Sequence, residues 1–269
     1  MRGISRRSLD AVTRRLDDIL PSANAATLGH ELFEVVALLG EERSLRRWLA
    51  EPANDADSKS GLVSELLESR VSPATVLVAC DIVRAEWSRS RDMVDAAERM
   101  AVYATVASVE NEQRLGELED ELFRFRRIVE AEPELRAALT AEGTTAEGKR
   151  ALVQDLLSGK TNASTLELVT EAVTRPRGRK LEQGLEHYGQ LVAERAQRYV
   201  AVVRTAAPLS AQQQERLQTV LTRRYGRTMH LNIDVDPQVV GGMSIHVGDE
   251  VIDGTIAGRL AEVRRRLAG

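Results

Sequence analysis

The sequence predicts an α+β protein that is mostly α: two tandem, duplicated helical bundles followed by a small α/β C-terminal domain. Three observations carry this. Apolar residues recur at three- and four-residue spacing from Ile4 to about Arg198, the period of amphipathic helices. Their order returns 90 positions later without a gap. Beyond Tyr199 the period changes to two, as in half-buried strands. The expected segments are 1–93, 94–197 and 198–269.

Ile4, Leu9, Val12, Leu16 and Ile19 space like a helix that stops at Pro21. Leu28, Leu32, Val35, Val36 and Leu39 make a second helix closed by Gly40. A short piece with Leu45, Trp48 and Leu49 follows, then a polar stretch from Pro52 to Ser60, then a helix carrying Leu62, Val63, Leu66 and Leu67. Ser72-Pro73 is a helix start with proline in the first turn, and it opens an apolar run to Val83.

In the second copy Glu31-Leu32-Phe33 returns as Glu121-Leu122-Phe123 and Leu45-Arg46 as Leu135-Arg136. Lys59, Leu62, Val63, Leu66 and Leu67 return as Lys149, Leu152, Val153, Leu156 and Leu157. The matches fall on apolar helix positions, so they specify one packing twice. The caps agree in kind: Thr144-x-x-Glu147 reads as a capping box and Asn54-x-x-Asp57 as a looser version. Two copies of so long a unit indicate duplicated helical domains, since a solenoid stacks three or more short ones. The boundary is expected in the charged stretch Trp87–Asp95, with a continuous helix through it as the alternative.

A further helix is expected from Leu181 to Arg198, then an apolar strand from Tyr199 to Thr205. Ser210 and Gln213 form a capping box for a helix with Leu217, Val220 and Leu221 on its apolar face, ended by Gly226. Leu231, Ile233 and Val235 alternate with polar residues as a half-exposed strand. From Val239 to Ile256 the chain reads as strand, turn, strand and helix start. Ser244 and His246 alternate with Met243, Ile245 and Val247, and Gly248-Asp249-Glu250 is turn chemistry. Asp253 and Thr255 flank Gly254 where a helix should begin, and Ile256, Leu260, Val263 and Leu267 line one helical stripe.

Composition narrows the function. Of 269 residues 43% are hydrophobic and only 3% aromatic, so the cores are aliphatic and few platforms exist for stacking bases. A net charge of -4 and a pI near 5.8 argue against nucleic acid as partner. One cysteine, Cys80, precludes an internal disulfide framework and reads as a buried thiol. No run reaches the ~18 apolar residues of a membrane span, and the start lacks the apolar stretch of a secretory signal.

No catalytic constellation emerges. His30, His187, His230 and His246 have no ligand-like spacing. Asp249, Glu250 and Asp253 could hold a metal or act as acid and base, but a turn followed by a helix cap accounts for all three. Gly241-Gly242 lacks the Lys-Ser/Thr of a phosphate loop and precedes a strand, so a bulge or close backbone approach is expected. Arg264-Arg265-Arg266 complements a helix C-terminus, and Arg175–Lys180 reads as a polar link. Residues alone leave open a helical scaffold or adaptor, and a metal-dependent enzyme using Asp249, Glu250 and Asp253.

From about Ala96 to its end the chain resembles the delta subunit of F-type ATP synthase, the relative of the mitochondrial oligomycin-sensitivity-conferring protein. The resemblance rests on Gly241-Gly242 before a strand, on Val247-Gly248-Asp249-Glu250-Val251-Ile252-Asp253-Gly254-Thr255 before the last helix, and on three supporting segments. These are Glu132-Pro133-Glu134-Leu135-Arg136, Lys149-Arg150-Ala151-Leu152 and Ala207-Pro208-Leu209-Ser210. Family members have one helical bundle, so the first segment is an added copy, a form similar to that of high-GC actinobacteria. The resemblance implies a non-catalytic stator subunit without cofactor or metal, peripheral on the cytoplasmic side of the cell membrane. It implies a helical bundle that holds N-terminal helices of the alpha subunits and a C-terminal domain that holds the b-type stalk. Gly241, Gly242, Gly248, Asp249, Asp253 and Gly254 are then structural signature residues. Residues of about 96–190 are expected to engage an alpha-subunit helix, with the first bundle as an additional brace.

Overall fold

The structure, a computed structural model, describes residues 3–112, 114–197, 200–225, 229–236, 239, 241–247 and 250–254. It divides into two compact units, Met1–Ala193 and Glu194–Gly269.

In the first unit α1 (Ile4–Ile19) ends in a 3-10 turn, Leu20–Ser22, where Pro21 stops the helix. Then come α2 (Ala25–Glu41), α3 (Arg43–Ala50), α4 (Ala56–Leu67) and α5 (Pro73–Arg84). The long α6 (Ser90–Asn111) leads into α7 (Leu115–Ala131), α8 (Pro133–Thr140), α9 (Ala146–Leu157), α10 (Ala163–Thr174) and α11 (Leu181–Gln197). The helices α2 to α5 start 90 residues before α7 to α10, so the sequence repeat is a repeat of structure.

The helix α6 takes part in both copies. By position it is the sixth helix of the first and, in the place of α1, the first of the second. Its Met93, Ala97, Ala101, Val102, Ala104 and Val106 are all buried. The expected division at 93/94 therefore falls inside a helix, and one hydrophobic core runs from Val12 to Val192. Trp87, placed by sequence in a charged linker, belongs to that core, and its indole N–H donates to the Ile82 carbonyl at 2.7 Å.

Capping shows the same doubling. Asp55 accepts from the Ser58 N–H at 2.9 Å and Thr145 from the Gly148 N–H at 3.1 Å. Both caps lie one residue later than the pairs starting at Asn54 and Thr144. Asp55 and Thr145 are the last residues with extended backbone before each helix, and the shift is identical in the two copies.

The second unit holds β1 (Val200–Thr205), α12 (Ala211–Tyr225), β2 (His230–Val235), β3 (Met243–Val247) and β4 (Glu250–Asp253). The sheet order is β2-β1-β3-β4. The strands β1 and β2 are parallel, with Ala201 opposite Leu231, and α12 is the crossover between them. The pairs β1–β3 and β3–β4 are antiparallel. Ser210 and Gln213 cap α12 reciprocally: the Ser210 N–H reaches Gln213 Oε1 at 2.8 Å and the Gln213 N–H reaches Ser210 Oγ at 3.3 Å. The small core gathers Ala201, Val203, Leu221, Met229, Ile245 and Val247.

Candidate partner-binding surface

In the second unit Gly241, Gly242 and Gly254 shape backbone. Gly241 and Gly242 take φ of 63° and 80°, left-handed values that cost a residue with a side chain about 1–2 kcal/mol. They turn the chain into β3. At the same open end of the hairpin the Gly254 N–H donates to the Met243 carbonyl at 3.0 Å. A Cβ on Gly254 would lie 3.1 Å from that oxygen, so glycine permits the approach. Asp253 stands opposite Ser244 in the ladder. Glu250 uses both oxygens to tie β4 to the end of α12, accepting from Arg224 at 2.6 Å and from the Tyr225 hydroxyl at 2.7 Å. Those bonds, Tyr225's foremost, hold its carboxyl below the usual range. Gly248 and Asp249 lie outside the described residues, as do Gly226, the expected last helix through Ile256, Leu260, Val263 and Leu267, and Arg264–Arg266.

In the helical unit each copy fixes its fifth helix with the same carboxylate. Glu31 accepts from the Ser72 N–H at 2.9 Å, Ser72 Oγ at 2.6 Å and Thr75 Oγ1 at 2.6 Å. Glu121 accepts from the Asn162 N–H at 3.1 Å, Asn162 Nδ2 at 2.8 Å and Thr165 Oγ1 at 2.5 Å. Burial pushes the Glu31 carboxyl up, and the bonds from Ser72 and Thr75 outweigh it, leaving the group low. These bonds tie α2 to α5 and α7 to α10, and α1 packs beside α5 as α6 packs beside α10, one arrangement used twice.

The two grooves so made differ in what fills them. Between α1 and α5 lies a cleft of about 510 Å³ bordered by Arg15, Ile19, Asn24, Pro73, Ala74 and Leu77. Leu77 is 54% exposed there, and Arg15 reaches Asp81 across the groove at 3.3 Å. Between α6 and α10 the same positions are covered by α2. A Cβ on Gly29 would lie 2.5 Å from Thr105 Oγ1 and 2.9 Å from its backbone nitrogen, so the two helices meet with no room for a side chain. His30 Nδ1 meets Glu167 of α10 at 3.1 Å, and Arg175 reaches Glu34 at 3.1 Å. The Phe33 ring lies 6.3 Å from that of Tyr188 on α11. Burial raises the Glu167 carboxyl against the pull of His30 and Thr105.

Beside this joint Glu98 of α6 is fully buried. It pairs with Arg177, with Arg179 at 2.7 Å, and lies 3.7 Å from His187. The polar link Arg175–Lys180 is thus a set of ion-pair anchors. Burial, then Arg179, Arg99 and Arg177, push the His187 imidazole down to about 4. Phe123 of α7, the counterpart of Phe33, is 56% exposed against 1%, with the Arg126 guanidinium 5.6 Å from its ring centroid.

The sequence by itself marks no contact residue in the bundles. The signals that carried the joint were Gly29 inside an apolar helix and small residues at Ala97, Ala101 and Ala104, an i, i+4, i+7 row.

Grooves for helices on a duplicated bundle, and a small domain whose Gly241, Gly242 and Gly254 shape backbone, are features of a helix-binding subunit. The chain belongs to the ATP synthase delta (OSCP) subunit family, which it matches over residues 97–267. It is 70% identical over 269 residues to ATP synthase subunit delta of Thermobifida fusca, with all of both chains covered. It is 47% identical over 271 residues to that of Streptomyces griseus, again with all of both chains covered. Against the Kineococcus radiotolerans subunit the identity is 43% over 270 residues, covering 99% of this chain and 98% of that one. The family match begins within α6, so the first copy lies ahead of it, while these relatives span both copies. The protein is a peripheral-stalk subunit of F-type ATP synthase, in the extended form of its actinobacterial relatives. Among the described residues no helix is long and apolar enough to cross a membrane.

Proposed function

We propose that this subunit ties the catalytic head to the peripheral stalk by two attachments. The helical unit holds N-terminal helices of the alpha subunits, and the C-terminal unit holds the end of the b-type stalk, on the cytoplasmic side of the cell membrane. In this reading residues 1–93 and 94–197 form the head-binding part and 198–269 the stalk-binding domain. The observation that carries it is the open α1–α5 groove, where Leu77 is exposed beside Ala74 and Ile19. An amphipathic helix docks in such a groove through anchors at i, i+3, i+4 and i+7.

The mechanical role follows from the architecture. A subunit that resists rotor torque needs tight binding at each end and a body that does not yield. One core threading both helical copies through α6 supplies such a body, because close-packed interiors have low compressibility.

The test is co-purification. Membranes carrying the tagged chain are solubilised, and the tag is expected to bring down alpha and b-type subunits in constant ratio. Stripping the catalytic head should remove the alpha subunits and leave the b-type stalk attached. Recovery of the chain alone from intact complexes would contradict the reading.

A further inference from the structure

The two copies pose a question of stoichiometry: a chain with two equivalent grooves should hold two partner helices. We infer that α2 of the first copy occupies the α6–α10 groove of the second in cis, so that the duplicated chain offers an outside helix one groove, between α1 and α5. This deepens the proposed function and rests on it for the identity of the outside helix. It also reverses the expectation that residues of about 96–190 engage that helix.

Repeat equivalence carries the argument. Leu77 on α5 corresponds to Glu167 on α10, and Arg15 on α1 to Thr105 on α6. In the second copy Thr105 is packed by Gly29, Glu167 is held by His30, and Arg175 is held by Glu34. All three guests are α2 residues. In the first copy the positions equivalent to this covered face remain exposed: Arg7, Arg14 and Arg15 on α1 and Leu77 on α5.

The opposite partnership confirms the direction. On α2 the face of Gly29, Phe33 and Val36 is buried, whereas the corresponding face of α7 carries Glu119, Phe123 and Arg126. With no glycine at 119, α7 cannot make the close approach that α2 makes, and Phe123 stays exposed. The plugging face is thus specific to the first copy and is not a general property of the repeat.

The two groove floors also select different guests. Ala97, Ala104 and Thr105 of α6 correspond to Arg7, Arg14 and Arg15 of α1. Small residues admit a helix at backbone contact, as α2 shows. Arginines hold a guest further away and favour carboxylates. The outside helix for α1–α5 is therefore amphipathic, with an apolar stripe over Leu77 and Ala74 and acidic residues toward Arg7 and Arg14, which have no ion-pair partner among the described residues. Attraction of this kind weakens with salt.

The experiment uses the full chain in a Cys80→Ser background with His30→Cys and Glu167→Cys, bridged by a short bis-maleimide. The probe is a synthetic peptide of the N-terminal segment of the cognate alpha subunit, titrated by calorimetry. High bridging yield, a stoichiometry of one peptide per chain, and affinity unchanged within twofold by the bridge are expected. Leu77→Glu should weaken binding at least tenfold with the helical circular dichroism intact. Two peptides per unbridged chain, loss of binding on bridging, or full binding by Leu77→Glu would each overturn the inference, as would failure to bridge. If bridging succeeds and no peptide binds, the cis occupancy stands, and the identity of the partner in the proposed function fails.

Discussion

Replacing Gly29 with alanine sets two effects of known sign against each other. Alanine is favoured over glycine in a helix interior by about 0.8–1.0 kcal/mol. At this site the added Cβ would stand 2.5 Å from Thr105 Oγ1, 2.9 Å from its backbone nitrogen and 3.2 Å from its Cα. Backbone atoms cannot swing aside, so α2 and α6 must separate, and overpacking of this kind costs about 1–3 kcal/mol. Since even an alanine methyl has no room, the steric cost should exceed the propensity gain and leave a net loss of up to about 2 kcal/mol. Gly61 in α4 is the control, because a Cβ there meets nothing within 4 Å, and Gly61→Ala should gain up to about 1 kcal/mol. Both tryptophans, Trp48 and Trp87, lie in the helical unit. Their fluorescence in a urea titration therefore reports that unit alone, with stability read from midpoint and slope. A Gly29→Ala midpoint that rises as the Gly61→Ala midpoint does would refute the close joint between the copies.

Three further outcomes are expected. Phe33→Ala should destabilise the helical unit by about 3–5 kcal/mol, while Phe123→Ala, at the exposed counterpart, should cost under about 1 kcal/mol; equal losses in urea would contradict the different burial. His187 has its folded pKa pushed down to about 4 from an ordinary 6.5. Its contribution is therefore complete above pH 6.5 and is lost as pH falls toward 4, on the order of 2 kcal/mol after allowing for partial exposure; His187→Asn should flatten that limb of the stability–pH curve. Gly242→Ala, forced to φ of 80°, should lower the stability of the C-terminal unit by about 1–2 kcal/mol, seen as faster amide exchange in β3 and β4 with the helical unit unchanged.

Much of this fold can be read from periodicity because helices bury the residues that define them. Leu32 and Leu122, or Val63 and Val153, recur at the same spacing and are buried in both copies, so the repeat announces a shared packing. The strand alternation of Ile245 and Val247 carries over to the sheet for the same reason. What periodicity could not give was where one copy ends. Trp87 sits among charges in the sequence, yet its indole is buried and hydrogen bonded to the Ile82 carbonyl. The role of α6 in both copies depends on contacts between residues distant in sequence, such as Gly29 with Thr105. Partner grooves were hidden for a similar reason. Leu77 and Glu167 occupy one repeat position, and only the presence of α2 over the second distinguishes an open surface from a filled one. Gly241-Gly242 was legible as a backbone device because its chemistry is local, though it makes a left-handed turn, and the close backbone approach expected there falls at Gly254.

The central proposal is that this subunit carries the mechanical link between head and stalk. Membranes stripped of both the catalytic head and this chain provide its most direct test. They are reconstituted with head alone or with head and chain together, and ATP synthesis driven by an imposed proton gradient is measured. Synthesis is expected only when the chain is present, with ATP hydrolysis by the free head the same in both. Equal proton-driven synthesis without the chain would contradict it.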